Sequence, residues 1–163
     1  MAGAEIIGAA IGVLLLILVG YLLIGSALTT AEVVTTAQKD ISMQNDARLQ
    51  TAIAINYLSF PASPPNTFKF SLNNTGSESI KDFPHMDIFS YESSLGYQRY
   101  TYTKSSTANA GEWTIIQFDR DYVHPNMLDP GEAVWICATY SSPKPVSLLV
   151  STSNGVVTSK PIF

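Results

Sequence analysis

Residues 6–28, IIGAAIGVLLLILVGYLLIGSAL, hold no charged side chain. A helix needs about 20 apolar residues to cross a hydrocarbon core of about 30 Å, and a helix is the open segment that satisfies its own backbone in lipid. A secretory signal peptide begins with basic residues and has a shorter apolar run of about 7–15 residues. Here no Lys or Arg precedes the run, which is longer. Residues 1–28 are therefore expected to form a transmembrane helix. A buried core helix is the alternative, but a chain of 163 residues leaves little to surround it.

The stretch at residues 29–50 changes character. Charges appear, yet Val34, Ala37 and Ile41, with Ala47 and Leu49 more loosely, recur at steps of three and four, the spacing of one helix face. No Pro or Gly interrupts it. We expect a helical stalk continuous with the span, about 68 Å from Glu5 to Gln50 at 1.5 Å per residue.

After Gln50 the period becomes two. Ile53, Ile55 and Tyr57 alternate with Ala54 and Asn56, and Phe68, Phe70 and Leu72 with Lys69 and Ser71. Further short apolar runs follow at residues 86–91, 97–103, 113–118, 133–140, 146–152 and 156–162. Asn73-Asn74-Thr75-Gly76 reads as a turn. Pro130-Gly131 occupies the favoured centre of a type II turn, and Asn154-Gly155 is a strong hairpin signal. Strands at this spacing predict an all-β domain, an immunoglobulin-like antiparallel β-sandwich over residues 51–163. Preceded by the helix, this is a pilin-like lollipop layout.

Charge and cysteine content narrow the function. All nine Lys and Arg and twelve of the thirteen Asp and Glu follow Leu28, a net charge of −3. No basic run exists to meet nucleic-acid phosphates or anionic lipid. The single cysteine, Cys137, lies in AVWICATY and is expected to be a buried, inert core thiol. Asp119, Asp121 and His124 are close in sequence, but their spacing matches no ligand pattern, and a solvated strand end is the better reading. No nucleophile elbow, phosphate loop or paired-cysteine site is present. The chain is expected not to be an enzyme and to need no cofactor or metal.

Three features bear on binding. Ala4, Gly8 and Gly12 follow the small-xxx-small spacing that lets membrane helices approach closely, although glycine is simply frequent in such helices. Tyr91, Tyr97, Tyr100 and Tyr102 form an aromatic cluster. If half of them point outward they make a protein-binding face; the plainer reading turns Tyr100 and Tyr102 to the core. Asn73-Asn74-Thr75 is a glycosylation acceptor pattern at Asn73, made credible by its expected place on a turn.

The opening MAGAEIIGAA, the continuation VVTTAQKDISMQNDARLQTAIAI, and the segments FSLNNTGSESI and LDPGEAVWI together resemble the archaeal flagellin superfamily. Within it they are most similar to the archaellum accessory proteins FlaF and FlaG, with residues 33–55 closer to FlaF. Filament subunits of that superfamily carry a short basic leader removed by a peptidase; the helix here starts at once, which fits the unprocessed accessory proteins better. The resemblance implies a stator: a sandwich outside the membrane that grips the surface layer or other archaellum components while the motor turns, with self-association of the anchor an option. Lys39 and Arg48 follow the span and nothing basic precedes it, so the positive-inside rule mildly opposes an outside head. The Tyr- and Thr-rich sandwich, the acceptor pattern and the resemblance favour outside, and we expect a single-pass membrane protein with its β-domain extracellular. The rival expectations are a pilin-like filament subunit and a tethered binding module unrelated to motility.

Overall fold

A computed structural model describes residues 2–121, 123–141 and 143–162, without the side chains of Ala2 and Ala4. The chain divides into two compact units at Gln44 and Asn45, so the helix that runs continuously from Ala2 to Gln50 (α1) gives its last residues to the second unit. Among the described residues this is one helix long and apolar enough to cross a membrane. Its apolar side chains stand exposed, Leu16 and Tyr21 by 74% and 79%, which in water would be costly and in hydrocarbon is not. The helix ends where the period changes. Thr51 folds its backbone N–H and its hydroxyl back onto the Ala47 carbonyl at 3.1 and 2.7 Å, and Arg48 places a cation in the last turn, where the helix dipole favours one.

The second unit carries eight strands: β1 Ile53–Ser59, β2 Thr67–Asn74, β3 Asp87–Glu92, β4 Gly96–Tyr102, β5 Glu112–Asp119, β6 Ala133–Thr139, β7 Ser147–Ser151 and β8 Val157–Pro161. Each lies where the period-two runs predicted a strand. Their spatial order is β1-β2-β6-β5-β4-β3-β7-β8, a sandwich that nearly closes into a barrel. Across the open seam, the Lys160 ammonium donates to the carbonyls of Ile55 and Asn56 in β1 at 3.1 and 2.6 Å.

One pair departs from the antiparallel expectation. β4 and β5 run parallel, through Thr101 opposite Glu112 and Tyr102 opposite Trp113. Parallel neighbours cannot be joined by a tight hairpin. The polar stretch at residues 103–111 supplies the longer return and is itself pinned, Thr114 Oγ1 donating to Ser105 O at 2.6 Å and Thr139 Oγ1 to Ala108 O at 2.8 Å.

Alternate residues of β1 to β7 build the core, with Phe68, Phe70, Leu72, Ile88, Trp113, Val134, Ile136, Leu148 and Val150 fully enclosed. Burying side chains of this size stabilises by about 1.5–3 kcal/mol each. Phe68 is central to an aromatic group, edge-on to Tyr100 at 5.5 Å and beside Phe70 at 6.1 Å. Of the three turns read from the sequence, those at Pro130-Gly131 and Asn154-Gly155 form. Gly131 has φ +82° with Glu132 N–H bonded to Asp129 O at 3.0 Å, and Gly155 has φ +81° in the β7–β8 hairpin.

Two placements correct the sequence reading. Asn73 is not on a turn: it is the seventh residue of β2, opposite Ala54 of β1 and Ala133 of β6. The strand runs to Asn74 because its ladder partners continue on both sides, outweighing the turn preference of the two asparagines. Cys137 is not in the core. Ile136 and Ala138 take the inward positions of β6, so Cys137 faces out, half-buried beneath the residue 103–111 loop. Burial pushes its thiol pKa up, with Lys69 opposing.

Candidate functional site

The hairpin of β3 and β4 presents an exposed pair of aromatic rings. Its strands meet at a tight turn whose last position, Gly96, has φ +81°, a conformation that glycine adopts without strain. Register then sets Tyr91 opposite Tyr97 and Phe89 opposite Arg99. Strand parity turns all four outward. The two tyrosine rings lie 5.0 Å apart and tilted by 54°. Tyr97 is 73% exposed and Tyr91 37%.

The outward row continues across the sheet. Phe89 is opposite Leu149 of β7, Tyr91 is opposite Ser147, and Ser151 leads to Val157 of β8. Phe89 and Leu149 are half-buried and Val157 is exposed. The charges on this face neutralise each other: Arg99 donates to Asp87 Oδ1 from Nε at 2.8 Å and from Nη2 at 2.6 Å. The result is a strip of aromatic and aliphatic side chains separated by serines, with one internal ion pair.

The four expected tyrosines therefore divide. Tyr91 and Tyr97 are brought together on the surface. Tyr100 is not on it: it is 1% exposed in the core, its hydroxyl 2.8 Å from Ser90 Oγ. Burial, with Glu92 and Tyr140 adding to it against the Ser90 hydrogen bond, pushes its phenol up to about 12. Tyr102 is half-buried, packed on the core with its ring 4.8 Å from Trp113. Parity explains the split, because residues 97 and 99 share one side of β4 and 100 and 102 the other. Phe89, Leu149 and Val157 were missed in the sequence, although Phe89 has the parity of Tyr91 two residues on.

The other expected features are separate. His124 does not join Asp119 or Asp121; its ring nitrogen Nδ1 lies 3.1 Å from the buried carboxylate of Asp129, while Asp121 accepts the Asn126 amide at 3.1 Å. Among the described residues no group of three side chains is arranged to hold a metal. Gly8 and Gly12 sit on α1 with open space where a Cβ would go; the side chain of Ala4 lies outside the described residues. Asn73 is half-buried on the outer face of β2, where its Oδ1 accepts from Ser71 Oγ at 3.0 Å.

No family model matches the sequence, and no curated protein matches it. Solved structures do. FlaG, the archaellum periplasmic stator protein of Sulfolobus acidocaldarius, is similar with a TM-score of 0.51 and 25% identity, over 69% of this chain and 99% of that one. The FlaF and FlaG stator complex of the same organism is similar with a TM-score of 0.51 and 22% identity, over 68% of this chain and 87% of the matched one.

The sandwich has the fold of the archaellum stator proteins.

The resemblance seen in the sequence to the archaellum accessory proteins thus holds in three dimensions. The FlaG match spans nearly the whole of that chain. The preference for FlaF over FlaG gains nothing from it, since FlaG is similar by itself and FlaF enters through the complex.

Proposed function

We propose that the chain is a stator-type accessory component of the archaeal motility apparatus. Residues 6–28 anchor it in the membrane as a single span, and the β-domain stands outside, where it binds a neighbouring protein, the surface layer first among candidates, through the Tyr91–Tyr97 face. One observation carries this reading: the likeness to FlaG, a periplasmic stator protein, over 99% of that chain. The exposed strip supports it. Paired tyrosines on a neutral, rigid sheet suit protein binding, because tyrosine supplies large contact area at small entropic cost. A stator resists torque and needs an anchor and a gripping surface, with no bond made or broken.

The test combines two measurements in the source cell and in vitro. Deleting the gene is expected to abolish swimming while growth stays normal. The purified β-domain is expected to capture purified surface-layer protein. Normal swimming of the deletion strain sinks the motility role; absence of capture moves the grip to another archaellum component.

A filament-subunit reading is favoured by one feature, the apolar exposure that continues past the span to Val33, Ile41 and Leu49, as a helix packed among others would show. Mass spectrometry of the native N-terminus separates the two: a trimmed start supports the filament subunit, and an untrimmed one the accessory protein.

A further inference from the structure

A helix joined to a strand by two residues, Thr51 and Ala52, is ordinarily a hinge, since a single chain resists bending poorly and φ/ψ changes at such positions are cheap. In this protein the junction is enclosed. The carbonyl of Gln50, the last residue of α1 and one that no helical N–H can reach, accepts the backbone N–H groups of Ser77 at 2.8 Å and Glu78 at 3.2 Å. The carbonyl of Ala52 accepts those of Thr75 at 2.8 Å and Gly76 at 3.0 Å. From the other side, Asn154 Nδ2 donates to Thr51 Oγ1 at 2.7 Å, and that hydroxyl in turn donates to Ala47 O at 2.7 Å.

The enclosure depends on a missing side chain. A Cβ at Gly76 would lie 2.3 Å from Gln50 O, 2.4 Å from Ala52 N and 3.0 Å from the Thr51 carbonyl carbon, all backbone atoms with no freedom to swing away. Asn74, itself 1% exposed, holds the loop in place: its Nδ2 donates to Glu78 O at 2.7 Å and Leu128 O at 2.9 Å, and its Oδ1 accepts the Gly76 amide at 3.0 Å. The two sides of the enclosure come from distant parts of the sheet. Residues 75–78 leave β2, and Asn154 sits in the β7–β8 hairpin at the opposite end of the strand order.

We infer that residues 75–78 and Asn154 form a clamp on residues 47–52, so that force arriving along the end of α1 enters both β2 and the β7–β8 hairpin instead of bending the Thr51–Ala52 link. The force-carrying role rests on the stator reading; the clamp itself does not. It accounts for the placement of Gly76 and Asn154 against the end of α1.

The test uses the full chain in detergent and in cells, with Asn154→Ala, which removes one side of the clamp, and Gly76→Ala, which crowds the other. Amide hydrogen exchange reads the clamp directly. In the unaltered protein Ser77 and Glu78 are expected to exchange as slowly as amides of β6, and in Asn154→Ala at least about tenfold faster with β6 unchanged. Exchange of Ser77 and Glu78 at the rate of open loops in the unaltered protein overturns the clamp. If Gly76→Ala fails to accumulate, Asn154→Ala and Thr51→Val still give this reading. Swimming in viscous medium reads the force role: Asn154→Ala cells with normal protein level and normal partner capture are expected to slow under load. Unchanged swimming of a variant whose exchange has risen overturns that role. A deletion strain that swims normally removes the stator reading and the force role together, and leaves the clamp to be judged by exchange alone.

Discussion

The hydroxyl of Ser79 donates to Oδ1 of Asp129 at 2.6 Å, tying the loop after β2 to the turn before β6. Asp129 is 4% exposed and also accepts the backbone N–H of His124 at 3.0 Å. The Ser79 bond holds its carboxyl below the ordinary carboxylate value against the opposing effect of burial, and His124 adds to the lowering. A carboxylate with a depressed folded pKa stabilises the fold above its unfolded value, and that stability is lost as pH falls through the folded value. The sandwich is therefore expected to weaken below about pH 3.8 in a step that Ser79→Ala reduces. Thermal melts from pH 2 to 6 check this, and identical pH profiles for the two proteins count against it.

At the alkaline end the sign reverses. Tyr100 has its phenol pushed up to about 12 from 10.0, by burial first and by the charge of Glu92. For an acid whose folded value is raised, stability is complete below the unfolded value and declines as pH climbs from 10 to 12. Ultraviolet titration of the phenols is expected to show at least one tyrosine ionising only with unfolding. In Tyr100→Phe that late component disappears; its persistence would show that another tyrosine carries it.

Gly131 tests the type II turn. Its φ of +82° is costly for a β-branched residue, whereas no atom within 4 Å would obstruct a Cβ. The loss is then conformational strain alone. Gly131→Val is expected to cost about 1–3 kcal/mol, and Gly131→Asn distinctly less because asparagine tolerates this region. Equal melting temperatures for all three proteins would refute the strain argument.

How far the sequence could be read follows from how local each signal is. The charge-free span, the period-two runs and the Pro130-Gly131 and Asn154-Gly155 turns act over a few residues, and all were legible. Parity went astray where a polar residue sits beside a strand end: Asn73 carries turn chemistry, yet ladders on both sides keep it in β2. Cys137 looked buried because its neighbours are apolar, but Ile136 and Ala138 own the inward side. The parallel β4–β5 pair, the closing contact of Lys160 and the clamp around Gln50 join residues from 11 to more than 100 apart. Pattern reading over a short window carries no information about such pairs. The Tyr91–Tyr97 face was half legible, since the tyrosines were visible while Leu149 and Val157 come to them only through β7 and β8.

The clamp also bears on where the β-domain begins. Residues 51–163 are expected to be soluble and β-rich by circular dichroism, because the core draws on no residue before Ile53. Residues 45–163 keep the Gln50 and Ala47 carbonyls that the loop amides and Thr51 use. Net contributions of about 0.5–1.5 kcal/mol per hydrogen bond imply a longer fragment more stable by about 1–3 kcal/mol. Chemical denaturation of the two fragments side by side measures the difference, and a shorter fragment of equal stability would mean that the bonds to Gln50 contribute nothing net.

The proposed binding face makes the sharpest demand on function. Tyr97 is the most exposed aromatic of the strip and is braced by Tyr91, so its truncation removes contact area without touching the core. At a binding surface of this type a central tyrosine is worth about 2 kcal/mol or more, roughly thirtyfold in Kd. Tyr97→Ala is thus expected to weaken capture of surface-layer protein by about that factor with the melting temperature unchanged. Tyr100→Phe, altered inside the core, should leave capture alone. Salt discriminates further. The strip's charges, Asp87 and Arg99, already satisfy each other, so screening has little attraction to remove, even as the Debye length falls from about 10 Å at 0.1 M to about 3 Å at 1 M. Affinity is expected to change by less than about threefold over that range. A steep loss of affinity with salt, together with full capture by Tyr97→Ala, would place the grip on one of the charged surfaces of the domain and not on this face.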